Sequence, residues 1–327
     1  MSPQIVAAVS VGHLQPVSVT HFPFERGTDA AGRGFMAPAR AVDGTCGFRH
    51  EERCSLQVAG GERMLPTACR HFPRVYRREP NGDRLTLSHY CPTAAALLFD
   101  ASPITIVSAE PPLALETSTE GLDVREALPP LLRPGMLMDG SGYAAWEELV
   151  VASFANAASV DEAFARVTAA TERIRRWHPN DGPLEATVHN GFTGRTFPVD
   201  GDRLSQGFQV LAAVTGQHPL LVTPRNFSSA WRTARGTSAD VLDGPLRRYL
   251  AACTFANWVA YRGQGLRSVL EWVRACFDVF RLQVTRAIER DGRLTRENVT
   301  RAFRDSDYLV VHTVDSLAFG RAIATVE

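Results

Sequence analysis

Apolar positions three and four residues apart dominate the chain from Gly142 onward. Tyr143, Trp146, Leu149, Val150 and Phe154 would share one face of a helix. Ser159 followed by Glu162 has the form of a capping box, and opens a helix that should run to about Trp177. His178, Pro179, Pro183, His189 and Gly191 then read as a loop, and a further helix spans about Arg203 to Gly216. The last third is the most strongly periodic. Leu246, Tyr249, Leu250, Cys253, Phe255, Ala256 and Val259 form one broad apolar face. Leu266, Val269, Leu270, Val273, Phe277 and Phe280 form the next, with Gly263 and Gly265 marking the break. Thr295 and Asn298 start a terminal helix or helix pair that continues through His312 to Ala324.

The N-terminal part has a different rhythm. Residues 1–45 look irregular with short strands, ending in the loop Arg40 to Gly44. The opening stretch has no basic leader, and its apolar run is short and alternating, so it reads as a strand or extended arm rather than a signal peptide. Arg74 to Ser88 alternates around Asn81-Gly82, a short hairpin signal. Cys91 then opens a helix with Pro92 in its first turn and Ala94 to Phe99 following. Residues 101–140 are Pro-rich (Pro103, Pro111, Pro112, Pro129, Pro130, Pro134) and without a clear period. The expected fold is mainly α. An N-terminal arm and cysteine-cluster module with a short β-hairpin (1–100) leads through a Pro-rich connection (101–140) to an α-helical domain (141–327).

Charge narrows the partners. The 35 basic residues balance 35 acidic ones, so nothing points to nucleic acid or an anionic membrane surface. Every basic residue is arginine, which closes off Schiff-base and lysine general-base chemistry. It also means the chain has no lysine of its own to modify. No stretch approaches the roughly 20 apolar residues of a membrane span. Six cysteines in 327 residues are too sparse for a disulfide scaffold, and we expect a reducing, cytoplasmic setting.

Four of those cysteines, Cys46, Cys54, Cys69 and Cys91, fall within one 46-residue stretch, separated by 7, 14 and 21 residues. Four thiolates suit a tetrahedral zinc or a cubane iron–sulfur cluster. A hairpin between Cys69 and Cys91 would bring those two together. Cys253 and Cys276 stand apart in apolar helical sequence and read as core, as do Trp146, Trp177, Trp258 and Trp272 as core or interface. Gly-x-Gly-x-x-Gly after a strand, Gly-x-Ser-x-Gly, His-Glu-x-x-His and Cys-x-x-x-Cys-x-x-Cys are all absent from the sequence.

The strings around the clustered cysteines are Cys46-Gly-Phe48, Cys54-Ser55-Leu56-Gln57, Leu65-Pro66, Cys69-Arg70-His71-Phe72-Pro73-Arg74 and Cys91-Pro92-Thr-Ala94-Ala95. In this order they resemble the cysteine-cluster family of zinc- or iron-chelating proteins that includes the flagellin lysine-N-methylases. The resemblance covers about a sixth of the chain. Members carry further cysteines upstream, whereas this chain has none before Cys46, only His13 and His21. The resemblance implies metal ligation by Cys46, Cys54, Cys69 and Cys91. The Cys91-Pro92 pair and the lack of paired short spacings favour a [4Fe-4S] cluster over zinc. Arg70 and Arg74, beside Cys69, are candidates to neutralise the thiolates or to hold a carboxylate-bearing cofactor or substrate. His71 and His89 read as polar surface, and His312, with Asp307 and Asp315 nearby, as a structural residue more than a catalytic one. The function expected is a non-catalytic chelating or redox-sensing module. The alternative is an S-adenosylmethionine-dependent protein-lysine N-methyltransferase acting on a protein partner.

Overall fold

The computed structural model describes residues 24–28, 34–40, 45–50, 53–100, 102–109, 121–196 and 203–325. His13, His21, the N-terminal arm, the end of the loop at Gly44, Pro111 and Pro112 lie outside the described residues. Those described fall into two compact units, one within 24–72 and one within 73–325.

In the first unit, β1 (Phe24–Thr28) and β2 (Gly34–Pro38) pair antiparallel from Phe24 opposite Pro38 to Thr28 opposite Gly34. Two-residue strands β3 (Arg49–His50) and β4 (Arg53–Cys54) lead into α1 (Ser55–Gly60), a 3₁₀ turn (Glu62–Met64) and α2 (Thr67–His71). Its core among the described residues is Phe24, Phe48 and Leu56, with Met36, Cys54 and Met64 packed against them. Phe24 and Phe48 meet at 5.5 Å between ring centroids.

The second unit starts with a hairpin. β5 (Arg74–Glu79) and β6 (Gly82–Leu87) pair in register from Arg74 opposite Leu87 to Glu79 opposite Gly82. The loop is therefore Pro80-Asn81, one residue earlier than the Asn-Gly pair suggests. Proline's fixed φ suits the first loop position, and Gly82, at φ 126°, takes the first place of the return strand. α3 (Pro92–Leu97) follows with Cys91 as its N-cap residue and proline in the first turn, as expected. The Pro-rich stretch holds only short strands: β7 (Leu122–Asp123), parallel to β5, then β8 (Leu131–Arg133) paired with β9 (Met136–Leu137).

The remainder is helical. α4 (Gly140–Asn156) buries Tyr143, Trp146, Val150 and Phe154, the face its period predicts. α5 (Val160–Ile174) has the expected cap: Ser159 accepts from the Glu162 N–H while the Glu162 carboxylate accepts from the Ala158 N–H. It stops at Ile174, so Trp177 lies beyond it. α6 (Leu184–Phe192) occupies what reads as loop in the sequence. Leu184 and Val188, one turn apart, are both buried and seat it on α4 and α5, so tertiary burial outweighs the Gly and His content. α7 (Gln206–Thr215) matches expectation. α8 (Phe227–Thr237) does not, although Phe227, Ala230, Trp231 and Ala234 give it a buried stripe at helical spacing.

α9 (Ala239–Thr254) ends before the apolar face read from Leu246 to Val259 is complete. Ala256 takes a left-handed conformation at φ 56°, and a single turn, α10 (Val259–Arg262), follows. α11 (Leu266–Asp291) is the central element, packing on α7, α8 and α9 and on the two later helices α12 (Arg296–Asp307) and α13 (Ser316–Ala324). It starts at Gly265, φ 135°, where a Cβ would sit 2.8 Å from the Arg133 Cα, so only glycine fits. Thr295 and Asn298 form the expected capping box of α12. A π-helical stretch, Tyr308–Thr313, separates α12 from α13. The core runs through Trp146, Phe154, Tyr249, Phe280 and Phe303, the last two stacked at 4.6 Å. Among the described residues no helix is long and apolar enough to cross a membrane.

A buried ion pair fastens the hairpin to this body. Arg77 donates from Nη1 and Nη2 to the two Glu147 oxygens at 3.1 and 3.2 Å, and from Nε to Glu79 at 2.6 Å. Nη1 also reaches the Asn257 carbonyl at 3.1 Å. The Ala256 N–H donates to Glu147 at 3.1 Å, so the strained left-handed residue delivers its amide to the carboxylate. Burial works against the Arg77 charge, but Glu147, Tyr143 and Glu79 hold its pKa above the ordinary value.

Candidate metal centre and the turn that carries Cys91

None of the six cysteines is disulfide-bonded. Cys46 is exposed and bridges Arg40 in an isolated antiparallel pair. Cys54 is half-buried at the junction of β4 and α1, as that helix's N-cap residue. Cys69 is exposed within the short α2. These three belong to the first unit, and Cys91, half-buried, to the second. Arg70 is half-buried on α2, while Arg74 is exposed at the start of β5 in the second unit. Among the described residues no three His, Cys, Asp or Glu side chains are grouped closely enough to hold a metal ion. The donor chemistry of four thiols suits a soft metal.

The turn that carries Cys91 is closely held. Ser88 is buried and donates its hydroxyl to Asp307 Oδ2 at 2.8 Å, and His312 Nε2 lies 2.6 Å from the same Ser88 oxygen. The Tyr90 N–H lies 3.2 Å from both Asp307 Oδ2 and Ser88 Oγ. Arg304 donates to the Tyr90 carbonyl at 3.1 Å, and the Tyr90 ring packs on Tyr308 at 5.2 Å and on His312 at 5.7 Å. The end of α12 and the π-helical stretch therefore fix Ser88 to Cys91 from one side. π-Helical turns recur at functional sites because they re-aim side chains out of the regular ladder.

Serine, histidine and aspartate meet here, yet not as a hydrolytic triad. A carboxylate only accepts, so the Ser88 proton points to Asp307, and His312 must donate Nε2–H to Ser88. The serine sits between acid and imidazole instead of being deprotonated by the imidazole, which a nucleophile needs. Burial lowers the His312 pKa although Asp307 pulls the other way.

His89 corrects the expectation of polar surface. It is only 5% exposed, edge-on to Tyr249 at 5.4 Å, and burial lowers its pKa against the pull of Asp307. Strand alternation up to Leu87 ends in a turn at His89, so its side chain follows the turn's geometry and not the strand's period. Cys276 is buried and Cys253 packs against the helical core, where burial pushes the Cys253 thiol well up. No protein-family profile, curated protein or solved structure matches the chain.

Proposed function

We propose that this chain is a cysteine-ligated metal-cluster protein, acting as a non-catalytic chelating or redox-sensing module. The carrying observation is the set of four clustered thiols. They form no disulfide, they lie in or beside short elements, and the turn bearing one of them is fixed by Asp307, Arg304 and His312. Buried structural cysteines would look like Cys276, enclosed in a long helix; Cys46 and Cys69 are instead exposed. Cys46, Cys54, Cys69 and Cys91 would supply the ligands, with iron–sulfur favoured over zinc. A bound cluster would add folding energy, and would bring the ligands together as it binds. Arg70 and Arg74 would offset thiolate charge.

The second reading is S-adenosylmethionine-dependent methylation of a protein lysine. Its support is the resemblance around the cysteines, and the acceptor would have to be another protein because this chain has no lysine. Iron, sulfide and zinc content of anaerobically purified protein tests the first reading. The parent and Cys253→Ser should retain metal, and Cys69→Ser should lose most of it. Metal kept by Cys69→Ser but lost by Cys253→Ser contradicts the ligand assignment. Calorimetric binding of S-adenosylmethionine to metal-loaded protein would move the choice to the methylase.

A further inference from the structure

The second unit contains a cavity of about 420 Å³ between β6, α3, α9 and the extended segment 102–107. Its wall is largely apolar, with Leu87, Leu98, Ile106, Ala252 and Phe255 among the lining side chains. This volume lies in the range of small-molecule sites. Two features of its polar lining select what could occupy it.

The first is His89. It lines the cavity at 5% exposure, edge-on to Tyr249 and within the electrostatic reach of Asp307. No hydrogen bond from the described residues reaches its ring nitrogens. Buried polar groups are otherwise almost always hydrogen-bonded, and a neutral imidazole offers one donor and one acceptor. His89 is a polar contact point in an apolar chamber with its partner still to be supplied.

The second feature is Arg248, the cationic residue of the lining. Its Nε and Nη1 donate to the carbonyls of Ser102 and Leu98 at 3.1 and 2.8 Å, so its charge is turned to holding the wall. Asp100, also in the lining, carries the opposite formal charge. The chamber therefore offers no net charge to a ligand.

We infer that this cavity is a binding site for a small uncharged amphiphile, an apolar body carrying one hydroxyl that hydrogen-bonds His89. The apolar body fills the space between Leu87, Leu98 and Phe255, and the hydroxyl meets the imidazole. His89 stands two residues before Cys91, and the inference requires no bound metal.

The test uses the full chain labelled with ¹⁵N in its histidine rings, at pH 7.5, titrated with 4-propylphenol, propylbenzene and 4-propylbenzoate. The phenol should bind saturably, move the His89 ring nitrogen resonances, and bind more tightly than either analogue. His89→Phe should weaken phenol binding on the order of tenfold, the worth of one buried hydrogen bond, and leave propylbenzene unchanged. Ala252→Phe, which fills the chamber, should weaken both. If that variant fails to fold, His89→Phe alone decides. Phenol binding that leaves His89 unmoved, equal affinity of phenol for parent and His89→Phe, preference for the benzoate, or no saturable binding by any probe would each overturn the inference.

Discussion

At the residue scale, the two buried charges that join β5 to α4 should be the least replaceable polar groups in the second unit. Arg77 has no exposed side-chain surface and Glu147 only 2%. Glu147→Gln keeps the shape but leaves Arg77 buried without its main counter-charge. Breaking such a pair from one side costs about 3–5 kcal/mol, to be read as a lowered urea midpoint. His89 should behave in the opposite way. His89→Phe removes no protein hydrogen bond, so stability at pH 7.5 should hold or rise. Its pH dependence has a defined sign. The folded-state pKa lies below the ordinary 6.5, so the unfolded chain takes up the proton first. Stability is then full above pH 6.5 and is lost as pH falls toward the folded value, at most about 1.4 kcal/mol per pH unit. Urea midpoints between pH 7.5 and 5 should fall less steeply in His89→Phe than in the parent. An equal slope in both proteins would remove His89 from the account.

At the scale of elements, the capped and strongly periodic helices were legible. Ser159 with Glu162 and Thr295 with Asn298 open helices where the pattern places them, and the face from Tyr143 to Phe154 is the buried one. What was not legible depends on contacts distant in sequence. α6 is short and carries His189 and Gly191, and it is the packing of Leu184 and Val188 that makes it helical. The break after Thr254 follows from Glu147 accepting the Ala256 amide more than a hundred residues away. His89 looked like surface because nothing local announces that Tyr249 covers it. Among the candidate site residues, the flanking motifs marked the cysteines, but the groups holding Cys91's turn lie more than two hundred residues further on. Asp307→Ala should therefore loosen that turn without unfolding the helices. Losing its hydrogen bonds to Ser88 and Tyr90 should cost about 1–3 kcal/mol. The Tyr90 and Cys91 amides should exchange faster while those of α11 remain protected, as measured by hydrogen exchange.

At the scale of the whole molecule, the two units differ in what stabilises them. The helical unit has a continuous core from Ala95 to Ile323, whereas the described cluster of the first unit centres on Phe24, Phe48 and Leu56. The thiols differ too, enclosed at Cys276 and exposed at Cys46 and Cys69. A metal bound by the clustered cysteines would add folding free energy to the elements that carry them. Cysteine alkylation under anaerobic conditions, read residue by residue by mass spectrometry, tests this most directly. In protein purified without oxygen, Cys46, Cys54, Cys69 and Cys91 should resist iodoacetamide together, and all four should react once a strong chelator or mild acid strips the metal. Rapid alkylation of Cys46 and Cys69 in freshly purified protein, with no change on chelation, would contradict the metal-cluster account.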